Sequence, residues 1–213
     1  MISILLGGNV ALFVALLLVL IISLSFHEYG HAYAAKHYGD RTAEMLGRLT
    51  INPLKHIDPV GLLMVVMVGF GYAKPVPTNP RNFNSKWATL GVAAAGPFMN
   101  LLIAFVVLNV FALGVKLGWT FMLSESMILF VQIVAAVNLA LMLFNLIPIG
   151  PLDGHYILPY FLPTRLANLY NEYNSRYGFY ALLGLLLLSA TGVPIFRYVF
   201  SFASSLGDYI TFI

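Results

Sequence analysis

The stretch His27-Glu28-Tyr29-Gly30-His31 closes a run, residues 10–26, that carries no charge and has only Ser23 and Ser25 as polar side chains. Such a run suits a helix in lipid, where every backbone polar group must be satisfied within the segment. A helix carries residues i and i+4 on one face, so His27 and His31 can aim two imidazoles at one metal ion. Glu28 lies about 100° further round, where it can reach water at that ion without being a ligand. Ionisable residues are costly in a membrane, and three within five positions call for a shared partner. A divalent metal is the simplest one.

Composition sets the frame for this motif. With 60% apolar and 9% charged residues among 213, the chain reads as a membrane protein with room for about five or six spans. The relatively polar stretches 36–58 and 162–177 are each too short for an independent soluble domain. The first apolar run lacks a basic leader and a small-residue cleavage site, so it reads as a retained helix. Zero cysteines leave His, Asp and Glu as metal ligands. A net charge of +3 gives no basic patch for nucleic acid.

Along the chain, the first helix is expected over residues 5–37, stopped by Gly39-Asp40. Gly30 and Ala34 offer it a small surface for close approach by another backbone. Residues 47–51 suit a short strand. The apolar segment 61–73 is too short to cross and reads as a re-entrant element. Lys74-Pro75-Val76-Pro77 must be extended. Spans are expected at 90–113 and 127–147, the latter broken by Pro148, Gly150 and Pro151 just before Asp153-Gly154. A last span starts at residue 179, with a kink at Gly192-Val193-Pro194 before 195–202 continues it. If 61–73 does not cross, nine of the eleven Lys and Arg residues share one side. The positive-inside rule makes that side cytoplasmic and the N-terminus extracytoplasmic. The motif and Asp153 then reach one depth, toward the cytoplasm, from elements more than a hundred residues apart. The expected fold is an all-α polytopic membrane protein with a re-entrant segment and a small cytoplasmic-side β element, one domain over 1–213 with a catalytic core at about 5–160.

A catalytic zinc usually takes three protein ligands and a water. The third ligand can come from Asp153, His155, His56, Asp58 or Glu44. Asp153 is favoured because non-helical backbone at membrane depth is tolerated where it lines a polar cavity.

In chain order, the sequence reads His27-Glu28-xx-His31, Gly47-Arg48-Leu49-Thr50-Ile51-Asn52-Pro53, His56-Ile57-Asp58-Pro59, Ala73-Lys74-Pro75-Val76-Pro77, Ala95-Gly96-Pro97-xx-Asn100 and Asn145-xx-Pro148-xx-Pro151-Leu152-Asp153-Gly154. Together these resemble the site-2 protease family of intramembrane zinc metalloproteases, in its compact prokaryotic form, over roughly residues 26–154. The resemblance implies one zinc per chain held by His27, His31 and Asp153, with Glu28 as general acid/base. It also implies that Asn145, Asn100 and His56 lie near the reacting carbonyl. Residues 115–125 are too few for the PDZ domain of larger members. The implied activity is hydrolysis of peptide bonds in or near the transmembrane segments of single-span proteins or membrane peptides, in the manner of regulated intramembrane proteolysis. The rival readings are a divalent metal-ion transporter using the same His/His/Asp site and a membrane hydrolase acting on lipid. A transporter has no need of Glu28 beside a ligand.

Overall fold

A computed structural model describes residues 1–68, 71–193 and 195–212. Gly69 and Phe70, within the expected re-entrant element, and Pro194, at the expected kink, lie outside the described residues. Six helices of ten or more residues stand among those described: α1 (Val10–His37), α2 (Pro59–Val68), α3 (Ala88–Lys116), α4 (Glu125–Asn145), α5 (Thr164–Ala190) and α6 (Ile195–Ile210). Of these, α1, α3 and α4 are long and apolar enough to cross a membrane.

Local chemistry sets the ends of α1. The helix expected from residue 5 is instead split, because Gly7-Gly8 ends a short helix, Ile2–Leu6, and Asn9 restarts the chain as an N-cap. The Asn9 Oδ1 accepts from the Leu12 N–H at 3.2 Å. At the other end the Tyr38 N–H bonds the Ala34 carbonyl at 2.9 Å, and Gly39 takes φ +97°, a left-handed conformation that stops the helix.

No strand forms among the described residues, and the strand expected at 47–51 is a turn followed by bends. Gly47 has φ +65°, and the Arg48 N–H turns back to the Ala43 carbonyl at 2.8 Å, so no ladder can start there. One isolated antiparallel bridge, Ile57 with Ala73, is the β pairing present, extended by the Lys74 N–H to the His56 carbonyl at 2.7 Å. Helix α2 fills the first part of the expected re-entrant segment. Its start is capped by Asp58 Oδ1, which accepts from Val60 and Gly61 N–H at 2.9 Å each. Helix α5 starts at Thr164, well before the span expected from residue 179. Its polar first half conceals a spacing of four, Tyr170, Asn174, Gly178 and Leu182, which forms its inward face.

Helix α3 packs against both α1 and α4, and α6 lies on α4 and α3. The apolar contacts are Val19, Ile133 and Val134 between α1 and α4, and Ala104, Leu139, Met142 and Ala203 among α3, α4 and α6. The close approach expected at Gly30 is present: a Cβ there would come within 2.6 Å of Met99 Cγ and 2.7 Å of the Ala95 carbonyl oxygen on α3. At the heart of the three spans sit Ser23, Asn100 and Asn138, each almost wholly buried.

Candidate metal centre

Helix α1 brings His27 and His31 to one face, and the loop after α4 brings Asp153 to them. The two Nε2 atoms are 3.1 Å apart. Asp153 places Oδ2 3.2 Å from His27 Nε2 and Oδ1 3.4 Å from His31 Nε2. One ligand atom from each of the three residues lies within 4.8 Å of the others. Of the five candidates for a third ligand, Asp153 joins the histidines; His155, His56, Asp58 and Glu44 are outside this group.

The far sides of both rings are committed. His31 Nδ1 donates to the Val92 carbonyl on α3 at 2.7 Å, which leaves Nε2 as a lone pair. His27 Nδ1 meets Asn100 Oδ1 at 2.7 Å. The Asn100 amide nitrogen donates to Asn138 Oδ1 at 3.0 Å and approaches the Ser23 carbonyl at 3.4 Å, so its oxygen must be the acceptor. Asn138 in turn donates to Ser23 Oγ at 2.9 Å and to the Val134 carbonyl at 2.8 Å. Asn100 thus stands behind His27, holding its tautomer, and it touches the site through that ring alone.

With both Nδ1 protons spent, two nitrogen lone pairs and a carboxylate face one another. Asp153 Oδ2 is buried without a hydrogen-bond partner. Three acceptors at this spacing repel unless a cation lies among them, and two imidazoles with a carboxylate form a donor set that zinc accepts. Gly96 completes the cradle. A Cβ on it would come within 2.6 Å of His27 Nε2 and also press on His31 Nε2, so this position has no room for a side chain.

Glu28 is buried beside the pair, and its Oε2 accepts the Val76 N–H at 2.9 Å. Pro75 and Pro77 have no N–H, so between the two prolines Val76 supplies the one backbone donor. The stretch is fixed on both sides. Arg48 Nη2 donates to the Lys74 carbonyl at 2.6 Å, and Asp40 Oδ2 accepts the Asn79 N–H at 2.6 Å. Burial pushes the Asp40 carboxyl up. Donors from the Thr42 hydroxyl, Asn79 N–H, Asn82 amide and Thr42 N–H outweigh it and hold the carboxyl below the ordinary carboxylate range.

Two further expected residues make their hydrogen bonds to backbone carbonyls. Asn145, at the end of α4, donates to its own helix at the Leu141 carbonyl, 3.0 Å. His56 is fully buried, its Nε2 on the Thr50 carbonyl at 2.7 Å and its Nδ1 without a partner. With Ser25, Asp58 and Tyr72 it lines a cavity of about 20 Å³ against α1. Sequence reasoning passed over Gly96, whose signal was the small-residue run Ala93-Ala94-Ala95-Gly96. It also passed over Val76, whose signal was its place between two prolines.

Comparison with known proteins agrees with this geometry. The model of peptidase family M50 matches residues 15–121 and 120–189. YwhC of Bacillus subtilis, which carries a zinc metalloprotease name, is 39% identical over 175 residues, covering 80% of this chain and 78% of its own. Rip2 of Mycolicibacterium smegmatis, named likewise, is 30% identical over 208 residues, covering 91% of this chain and 74% of its own. A zinc metalloprotease of Methanocaldococcus jannaschii is 28% identical over 154 residues, 71% of this chain and 35% of that protein. No solved structure is matched. On sequence and arrangement together, the chain belongs to peptidase family M50, the site-2 protease family.

Proposed function

We propose that the chain is an intramembrane zinc endopeptidase that cuts peptide bonds in or near the transmembrane segments of membrane-protein substrates. The observation that carries this reading is the convergence of His27, His31 and Asp153, with the outer nitrogens of both rings already committed, next to a buried Glu28. Bound among these three ligands, a zinc ion supplies the Lewis acidity that polarises a carbonyl and acidifies a water.

The chain's own groups do the rest. Glu28 takes the proton of the attacking water on a carboxylate oxygen and passes it to the leaving amine nitrogen. The N–H of Val76 keeps that carboxylate oriented. Asn145 is at the right end of α4 to donate an amide hydrogen to the developing oxyanion, once its bond to Leu141 is released. Asn100 acts on the reaction through the His27 ring, and His56 through the backbone it shares with Lys74. The extended edge at residues 72–76 offers a substrate main-chain pairing after its helix unwinds.

The reading places the active site toward the cytoplasmic side and the N-terminus outside, on the charge count. Helix α2, ten residues or about 15 Å long, then dips into the bilayer without crossing. Helix α6 runs alongside α3, with Ala203 at Ala104 and the Ile210 carbonyl on Asn109, which supports a further crossing. The whole of 1–213 forms a single domain around this site.

A transporter is not favoured, since a carboxylate placed beside the ligands and fixed by its own donor has no use in passing an ion. Purified protein incubated with a tagged membrane peptide, with and without chelator, tests the proposal. Cleavage is expected that chelator stops and zinc restores, and that Glu28→Gln abolishes while zinc content stays near one per chain. Zinc lost from Glu28→Gln would make Glu28 a ligand and overturn the mechanism.

A further inference from the structure

We infer that Asn174, on α5, is a positioning residue for the third metal ligand, clasping the Asp153 loop on both sides of the carboxylate. The inference rests on the reading of Asp153 as a ligand.

The loop between α4 and the short helix Gly154–Ile157 is folded on itself by local turn bonds, Ile149 N–H to the Ile147 carbonyl at 2.8 Å and Leu152 N–H to the Ile149 carbonyl at 2.9 Å, which do not tie it to another element. Pro148 and Pro151 contribute no N–H, and the Asp153 carboxylate finds its polar contacts in the two histidines. Side-chain hydrogen bonds to the loop from a separate helix come from α5. The Gly150 N–H donates to Asn174 Oδ1 at 3.1 Å. That bond settles which way the amide points, so its nitrogen faces His155 Nδ1 and donates to it. One amide thereby ties residue 150 to residue 155, and Asp153 lies between the two ties.

The same face of α5 supports the clasp at each turn. The Tyr170 hydroxyl donates to the Pro148 carbonyl at 2.9 Å. Gly178 is buried, and a Cβ there would stand 3.0 Å from the Gly150 carbonyl oxygen, so helix and loop touch backbone to backbone. Leu182 closes the stripe against Leu152 and Phe144. Tyr170, Asn174, Gly178 and Leu182 follow one another at intervals of four, while Glu172, Tyr173, Ser175 and Arg176 point outward and are exposed. A helix beyond the motif-bearing part of the chain therefore sets the position of a ligand inside it.

Zinc-stripped full-length protein, titrated with zinc against a chromophoric competitor and separately loaded with cobalt(II) for its visible spectrum, tests the clasp. Asn174→Ala is expected to weaken zinc binding by about 10- to 100-fold, the usual size of effect for a group that orients a ligand. Its cobalt spectrum should shift, as the carboxylate no longer holds a fixed place. Glu172→Gln, on the outer face of the same helix, should change neither. In an Asp153→Ala background, Asn174→Ala should cost nothing more, because the ligand it positions is gone. Unchanged zinc affinity in Asn174→Ala, or an equal further loss in the Asp153→Ala background, would overturn the clasp alone. Unchanged affinity in Asp153→Ala would overturn the ligand assignment beneath it. Should Asn174→Ala fail to fold, Tyr170→Phe removes only the hydroxyl on Pro148; a smaller loss in the same direction is expected, and no loss overturns the clasp.

Discussion

Gly96 shows how much a single residue can decide. Its missing side chain is what lets α3 lie against both Nε2 atoms of the histidine pair. Alanine is the better helix former by about 1 kcal/mol, so propensity alone predicts that Gly96→Ala stabilises α3. The added methyl would instead enter the space among the ligands. Gly96→Ala is expected to fold and to lose zinc binding by metal analysis; a variant with wild-type zinc content would show that the cradle yields. The histidines, Glu28 and Asp153 were legible in the sequence because i, i+4 spacing and a broken apolar run are local signals. Asn100 was legible as a site residue but not in its place. Only the packed helices show that it meets Nδ1 of His27, the nitrogen turned away from Asp153. Asn174 gave no signal, since an asparagine in a polar stretch reads as surface until the loop it clasps is in view.

Among the elements, the extended stretch 73–79 does most to join the site to the rest of the fold. Val76→Pro deletes the one N–H that reaches Glu28 and suits the extended backbone, while Val76→Ala keeps it. Val76→Pro should therefore lower kcat by about tenfold or more, in the range ascribed to a general acid/base that has lost its orientation, with zinc content retained. Val76→Ala should stay close to wild type, and equal rates for the two would remove Val76 from the mechanism. Asp40 anchors the far end of the stretch and carries a pH signature. Its carboxyl titrates lower in the folded chain than in the unfolded one, so its stabilisation is complete above the ordinary value of 3.8. It is lost as the pH falls through the depressed value. Thermal melts from pH 6 downward should show a decline in the wild type that Asp40→Asn lessens, starting from a lower melting temperature. Parallel melting curves would leave Asp40 without a part in acid stability. The sequence predicted this stretch as extended from its prolines alone, whereas the strand at 47–51 failed because β propensity gives no partner, and Gly47 turns the chain away.

For the whole molecule, sidedness is the open quantity, and the absence of cysteine makes it accessible. Single cysteines at Ser85 and Ser175 should react with an impermeant thiol reagent from the cytoplasmic side, and one at Ser124 from the outside. Labelling of a cysteine at Met45, before α2, and one at Ser85, after it, from opposite sides would mean that the segment around α2 crosses the bilayer. The three main spans were legible because long apolar runs need no partner to be recognised. The full reach of α5 was not, since its inward face is a spacing of four within a polar surround.

The three residues grouped to hold a metal come from the first span and from the loop after the third, at positions 27, 31 and 153, and that separation has a consequence in time. A nascent chain inserts its helices as they leave the ribosome, and until residue 153 has emerged its two histidines lack the Asp153 carboxylate opposite them. The full set of three therefore comes together in one step, when the loop after the third span docks. A growing chain thus lacks the complete set until the residues that dock this loop have left the ribosome.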